Sequence, residues 1–261
     1  MHPLLNTAVK AARRAGNIIV RNYERADSVK ISQKKDNDFV TEVDIFAENE
    51  IKDILKTAYP DHAILAEESG RDGNNDFLWI IDPLDGTTNF AHQFPHFAVS
   101  VALQVKGKLE HAVIYDPIKQ ELFTASNGGG AFLDGRRLRV KNRKNLQGAL
   151  IGTGFPFKNK EILDQYIDTF KDIFSESAGV RRAGAASLDL AYVAAGRLDG
   201  FWEAGLKPWD IAAGALLVIE AGGVVTDFSG NGGYLDSGNT VAGNIKLHNE
   251  LINKISAGNL S

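Results

Sequence analysis

Leu78-Trp79-Ile80-Ile81-Asp82-Pro83-Leu84-Asp85-Gly86-Thr87-Thr88-Asn89 passes from bulky apolar residues straight into two aspartates. A short apolar run bounded by turn residues reads as a buried strand, so carboxylates are expected where that strand stops. Pro83 fixes a turn there, which lets Asp82 and Asp85 point at one locus with the Leu84 carbonyl facing the same way. Two carboxylates and a carbonyl make a hard oxygen site that suits Mg2+, which binds oxygen at about 2.1 Å and keeps several waters. Gly86 permits close backbone approach, and the amides of Gly86 and Thr87, opening a helix, favour an anion. Metal and phosphate are thereby placed side by side. An acidic surface turn with a helix-capping aspartate accounts for one carboxylate and leaves the second unexplained.

Outward from this stretch, Ala63 to Ala66, Phe97 to Val105, Leu109 to Tyr115 and Glu121 to Ala125 read as strands, the last three as an antiparallel meander. Helical spacing marks Leu4 to Ile19 and Phe46 to Ala58. Beyond about residue 145 the texture becomes helices alternating with short strands. Helices are expected near Lys160 to Phe174, Ala185 to Ala195, Pro208 to Ala221 and Leu247 to Ile255; strands near Leu198 to Glu203, Gly223 to Asp227 and Val241 to Gly243. The fold class is α+β. An N-terminal part, 1–145, holds the antiparallel sheet, and a C-terminal α/β part, 146–261, packs on it as one unit with a cleft between.

With 261 residues, 44% of them hydrophobic, the chain can bury a substantial core. No apolar run approaches the roughly 20 residues of a membrane helix. The start lacks a secretory pattern, so a cytoplasmic location is expected. The chain has no cysteine, which excludes disulfides, thiolate metal sites and a cysteine nucleophile. A net charge of -4 argues against nucleic acid as the main partner.

Other acidic pairs repeat the pattern. Glu67-Glu68 follows the apolar run 63–66, and strand alternation turns one of the two inward. Asp210 in Lys207-Pro208-Trp209-Asp210, and Asp44 in Thr41-Glu42-Val43-Asp44, each stand in the first turn of a helix, where capping is the ordinary reading. Read together, they bring helix N-termini and carboxylates to one cleft. His92 and His96 are four apart, but Pro95 between them makes a helical zinc pair improbable. Asp82 and Asp85 stand three apart, whereas phosphatases with an aspartate nucleophile in an Asp-x-Asp-Gly-Thr motif need two, so a phosphoenzyme is not expected. In Arg136-Arg137-Leu138-Arg139-Val140-Lys141-Asn142-Arg143-Lys144, residues 137, 139, 141 and 143 fall on one face of a strand. A charge-protected sheet edge is the ordinary reading, and a docking face for RNA or an acidic protein the functional one.

Glu67-Glu68-Ser69, Asp82 to Phe90 and Trp209-Asp210-Ile211-Ala212-Ala213-Gly214 together resemble the inositol monophosphatase family, and the bacterial members most closely. The likeness runs the length of the chain, through Phe39-Val40-Thr41 and Glu220-Ala221-Gly222-Gly223. It implies a layered α-β-α-β-α sandwich and Mg2+-dependent, lithium-sensitive hydrolysis of a phosphate monoester, with myo-inositol 1-phosphate or a related sugar or polyol phosphate as the expected substrate and fructose bisphosphate or adenosine bisphosphate as the alternatives. By resemblance, two or three Mg2+ are held by Glu67, Asp82, the Leu84 carbonyl, Asp85 and Asp210. Glu67 and Thr87, the latter held by Asp44, share the attacking water. Gly86 and Thr87 hold phosphate, while Gly184, Ala186, Glu203 and Asp210 meet the polyol, with Glu203 setting specificity. The likeness further implies a homodimer and, from some bacterial relatives, a second role in transcription complexes on ribosomal RNA operons. Ala66 and Ala185 depart from common family residues without removing a ligand. The loop Ser32 to Asp38 receives no catalytic role.

Overall fold

The computed structural model describes residues 2–24, 31–35, 38–156 and 160–258, with 31–35, 38–40 and 160 described by backbone alone. Helix α1 (Pro3–Tyr23) precedes a hairpin of β1 (Ile31–Lys35) and β2 (Asp38–Thr41), then helix α2 (Glu42–Ala58). Next come β3 (Ala63–Ala66), β4 (Gly70–Asp72), β5 (Phe77–Asp85), the short helix α3 (Thr87–Ala91), β6 (Ala98–Val105), β7 (Lys108–Asp116), β8 (Glu121–Ser126), β9 (Gly130–Leu133) and β10 (Arg136–Arg137). The remainder carries β11 (Leu150–Thr153), α4 (Leu163–Glu176), β12 (Gly179–Arg181), α5 (Ala186–Ala194) and β13 (Gly200–Glu203). Helix α6 (Pro208–Glu220), β14 (Val224–Thr226), α7 (Tyr234–Ser237), β15 (Thr240–Gly243) and α8 (Ile245–Ala257) complete it.

Strands β10-β9-β8-β7-β6-β5-β3-β4 form an eight-stranded sheet, antiparallel except where β3 runs beside β5. A five-stranded sheet has the order β12-β11-β13-β15-β14. Side-chain alternation along β5 divides its apolar residues between two cores. Trp79 and Ile81 face α1 and α2, where Ala8, Ala12, Ala15, Ala47 and Ile51 pack tightly. Leu78 and Ile80 face the opposite way, toward Leu190 of α5 and Ala212 and Leu216 of α6. Helix α6 is buried nearly all round because it lies between both sheets, which is why its apolar residues show no single stripe. Phe201 and Ala242 of the second sheet close that middle core, while Trp202 and Val241 turn to α4 and α8 on the far side. The result is five alternating layers, α-β-α-β-α, as the resemblance implied. Among the described residues no helix is long and apolar enough to cross a membrane.

Two expectations need correction. β5 does not stop at Ile81; it continues to Asp85, with its pairing to β6 shifted between Asp82 and Asp85. The bulge has a physical cause: Pro83 lacks the N–H that a central strand needs, so the ladder must skip it. The basic stretch 136–144 is not a strand throughout. Only Arg136 and Arg137 pair, as edge strand β10, after which the Leu138 side chain is buried in the core and the Val140 amide donates to the Ala221 carbonyl. Arg143 then leans on the buried Asp199, 3.3 Å away, so residues 137, 139, 141 and 143 share no strand face. Residues 36 and 37 of the loop 32–38 lie outside the described residues.

Candidate active site

The bulge aims the end of β5 at the N-terminus of α6. Asp82, Asp85 and Asp210 each offer an oxygen within 4.8 Å of the others, the one such cluster among the described residues. Asp210 caps its helix as well, accepting from the Lys207 amide at 2.7 Å, so the capping role and the clustering occur together. Asp82 and Asp85 are 1% and 8% exposed. Burial pushes Asp82 well above the usual carboxylate range, and Glu67, Asp85 and Asp210 push it further by repulsion. Burial and then Asp210 push Asp85 up to about 7, against hydrogen bonds from α5. At an effective dielectric near 20, charges this close repel by roughly 3–4 kcal/mol per pair. The cluster is therefore at ease only when protonated or when a cation lies among the carboxylates, and an all-oxygen donor set fits Mg2+.

Gly86 starts α3 at φ 97°, where a β-carbon would come 3.0 Å from the His96 carbonyl and 3.2 Å from Phe97 Cβ, so conformation and space both demand glycine. The Thr87 hydroxyl lies 2.9 Å from Asp44 Oδ1 and 3.0 Å from the Leu84 carbonyl oxygen, and its single proton serves one of them at a time. Asp44 is buried at the start of α2, where its other oxygen accepts from the Thr41 amide at 2.8 Å and the Thr41 hydroxyl at 2.5 Å. It caps α2 and reaches Thr87 at once. Burial raises its pKa, against these hydrogen bonds. Glu67 follows β3, its amide donating to the Ile81 carbonyl at 3.2 Å, and its charge acts on Asp82.

Glu203, the last residue of β13, is half-buried, and burial followed by the charges of Asp210 and Asp85 pushes it up to about 8, against Arg182. Gly184 adopts φ 89° beside Asn89, whose amide nitrogen bridges to the Ala183 carbonyl at 2.9 Å and the His96 carbonyl at 2.8 Å. Ala186 opens α5. His92 and His96 form no matched pair: His92 is exposed, while His96 packs against Tyr192 and burial pulls it down to about 4.

Sequence reasoning missed several contributors. The Ser187 amide and hydroxyl donate to Asp85 Oδ2 at 2.8 and 2.5 Å, tying α5 to the bulge. Nothing in Ala-Ser-Leu-Asp distinguishes that serine. Glu48, 2% exposed, accepts from the Glu68 and Ser69 amides at 2.9 and 3.0 Å and so fixes the turn after Glu67. One signal existed, since Glu48 is four residues from Asp44 and hence on the same helix face.

A five-layer sandwich with an acidic cluster between its two sheets defines a layered phosphatase fold. The chain belongs to the inositol monophosphatase family, whose model matches residues 1–260. It is 58% identical, over 98% of its length and 96% of the relative's, to the Nus factor SuhB of Pseudomonas aeruginosa. A crystal structure of the extragenic suppressor protein SuhB from Bartonella henselae superposes with a TM-score of 0.95 at 44% identity, covering 98% of this chain and all of that one. The inositol monophosphatase of Anabaena (Nostoc) matches at a TM-score of 0.88 and 39% identity, over 97% of this chain and 95% of that one.

Proposed function

We propose that the chain hydrolyses myo-inositol 1-phosphate to inositol and phosphate in a Mg2+-dependent reaction. The observation that carries this reading is the convergence of Asp82, Asp85 and Asp210 within 4.8 Å, beside the Thr87–Asp44 pair. Glu67, Asp82, the Leu84 carbonyl, Asp85 and Asp210 would hold two or three Mg2+. When bound, Mg2+ supplies Lewis acidity, which acidifies water and offsets charge on the phosphoryl group. Asp44 accepts the Thr87 hydroxyl proton in a hydrogen bond, leaving a Thr87 lone pair to orient the attacking water. Glu67 accepts the proton that this water gives up as the water oxygen bonds to phosphorus. The P–O bond to the polyol breaks on the opposite side, and the released polyol oxygen takes up a proton from solvent water. The Gly86 and Thr87 amides hold phosphate oxygens. Gly184, Ala186, Asp210 and Glu203 meet the polyol, and Glu203 selects for its hydroxyls. The N-terminal part (1–145) brings most metal ligands and the C-terminal part (146–261) most substrate contacts. The enzyme works as a lithium-sensitive homodimer in the cytoplasm.

A phosphate-release panel over inositol 1-phosphate, fructose bisphosphate and adenosine bisphosphate, with Mg2+ and then with Li+, tests this. Inositol 1-phosphate should be preferred and Li+ should inhibit. Preference for a bisphosphate, or turnover by Asp85→Asn in Mg2+, defeats the assignment.

A second role, in a transcription antitermination complex, is supported by the 58% identity to a Nus factor and by the exposed basic residues Arg136, Arg137, Arg139, Lys141 and Lys144. Asp85→Asn should end hydrolysis and leave complex assembly intact, whereas loss of both together counts against a separate role.

A further inference from the structure

Gly154, the residue just past β11, is buried, yet its backbone lies outside the left-handed region. Conformation therefore gives no reason for a glycine. Space does: a β-carbon built there would overlap the Glu203 carboxylate, with Oε1, Cδ and Oε2 all inside the 3.0 Å that real β-carbons keep from neighbours. The carboxylate thus occupies the place of a side chain at 154. The parallel register Gly152↔Phe201 and Thr153↔Trp202 sets Gly154 alongside Glu203, so the side chain of Glu203 lies across the end of β11.

The strand end cannot back away. The Thr153 hydroxyl sits 2.8 Å from the Tyr166 hydroxyl and 2.9 Å from the Trp202 carbonyl oxygen, all enclosed. On the other flank, Thr240 is the register partner of Glu203 on β15 and is fully buried, which closes that side. A side chain at 154 must displace the carboxylate rather than the backbone.

We propose that Gly154 is a positioning residue that seats the Glu203 carboxylate and through it sets discrimination for polyol phosphates. The proposal rests on the reading of Glu203 as the polyol contact. Its test is a double-mutant cycle of Gly154→Ala and Glu203→Ala, read in two ways. The first reading is the ratio of kcat/KM for inositol 1-phosphate to that for p-nitrophenyl phosphate, which lacks the ring hydroxyls. Gly154→Ala should lower this ratio about tenfold or more, the range of one hydrogen bond to a charged group, mainly through KM. On the Glu203→Ala background the same change should alter it little. The second reading is Tm: whatever Gly154→Ala costs should be relieved in the double variant, where the carboxylate is gone. If the single variant does not fold, the double variant still must.

Parallel loss on both substrates, additive losses in the cycle, or a double variant no more stable than Gly154→Ala overturns the proposal. If Glu203→Ala leaves the ratio unchanged, the polyol reading of Glu203 fails and specificity through Gly154 fails with it. The Tm cycle then still reports whether Gly154 seats the carboxylate.

Discussion

Removing Mg2+ with EDTA and then following stability against pH probes the acidic cluster directly. Asp85 stands at about 7 in the fold against an ordinary 3.8, a gap of about 3 pH units. At about 1.4 kcal/mol per unit this is roughly 4 kcal/mol. The folded protein holds this proton more tightly than the unfolded chain, so the share of Asp85 in the stability falls as pH rises between about 4 and about 7. The share of buried His96, pulled down to about 4, runs the opposite way. Asp82 is raised in the same direction, and Glu203, at about 8, extends the fall upward. On the proposed reading Mg2+ would bind the deprotonated carboxylates, so its stabilising effect should be small at about pH 5 and grow toward about pH 8. Urea denaturation across that range, with saturating Mg2+ and with EDTA, measures both curves. Asp85→Asn, neutral at every pH, should remove that falling share, so that its metal-free stability rises with pH relative to the unsubstituted protein. A metal-free Asp85→Asn protein whose pH dependence between about pH 5 and about pH 7 matches that of the unsubstituted protein, or a Mg2+ increment equal at both ends, refutes the reasoning.

Ser187→Ala removes the hydroxyl that donates to Asp85 Oδ2; Mg2+ affinity, measured by calorimetry, should weaken about tenfold or more, the usual effect of losing a residue that orients a ligand. Asp44→Ala removes the Asp44 half of the α2 capping box, which accepts from the Thr41 amide, and the acceptor of Thr87; stability should drop by about 1 kcal/mol in urea, and steady-state kinetics should show kcat falling far more than KM rises. Glu48→Ala strands the amides of Glu68 and Ser69; thermal unfolding should report a loss of roughly 2–4 kcal/mol, with activity falling too because Glu67 sits at the turn they fix.

Local patterns made much of the fold legible. The turn-bounded apolar runs of β6, β7 and β8 and the helical spacing of α1 and α2 depend on neighbours in sequence, so composition and period reveal them. β11 and β12 went unread because each is only a few residues long and takes its strand character from parallel partners elsewhere. The reach of β5 past Ile81 was misread for a related cause. Pro83 argues for a turn in isolation, and only pairing with β6 shows that a bulge absorbs it.

The sequence by itself determined the inventory: acidic residues after apolar strands, glycine at 86, aspartates in the first turns of α2 and α6, and no thiolate ligand for a metal. These are local facts of residue type and spacing. Only the tertiary structure decided which of them meet. Ser187 reaches Asp85 across 102 residues of chain, and Asp210 joins Asp82 because α6 is held between two sheets. Glycine at 154 has its reason in a carboxylate on another strand. No local pattern encodes such meetings, because they arise when distant apolar faces are buried against one another and carry their polar ends along.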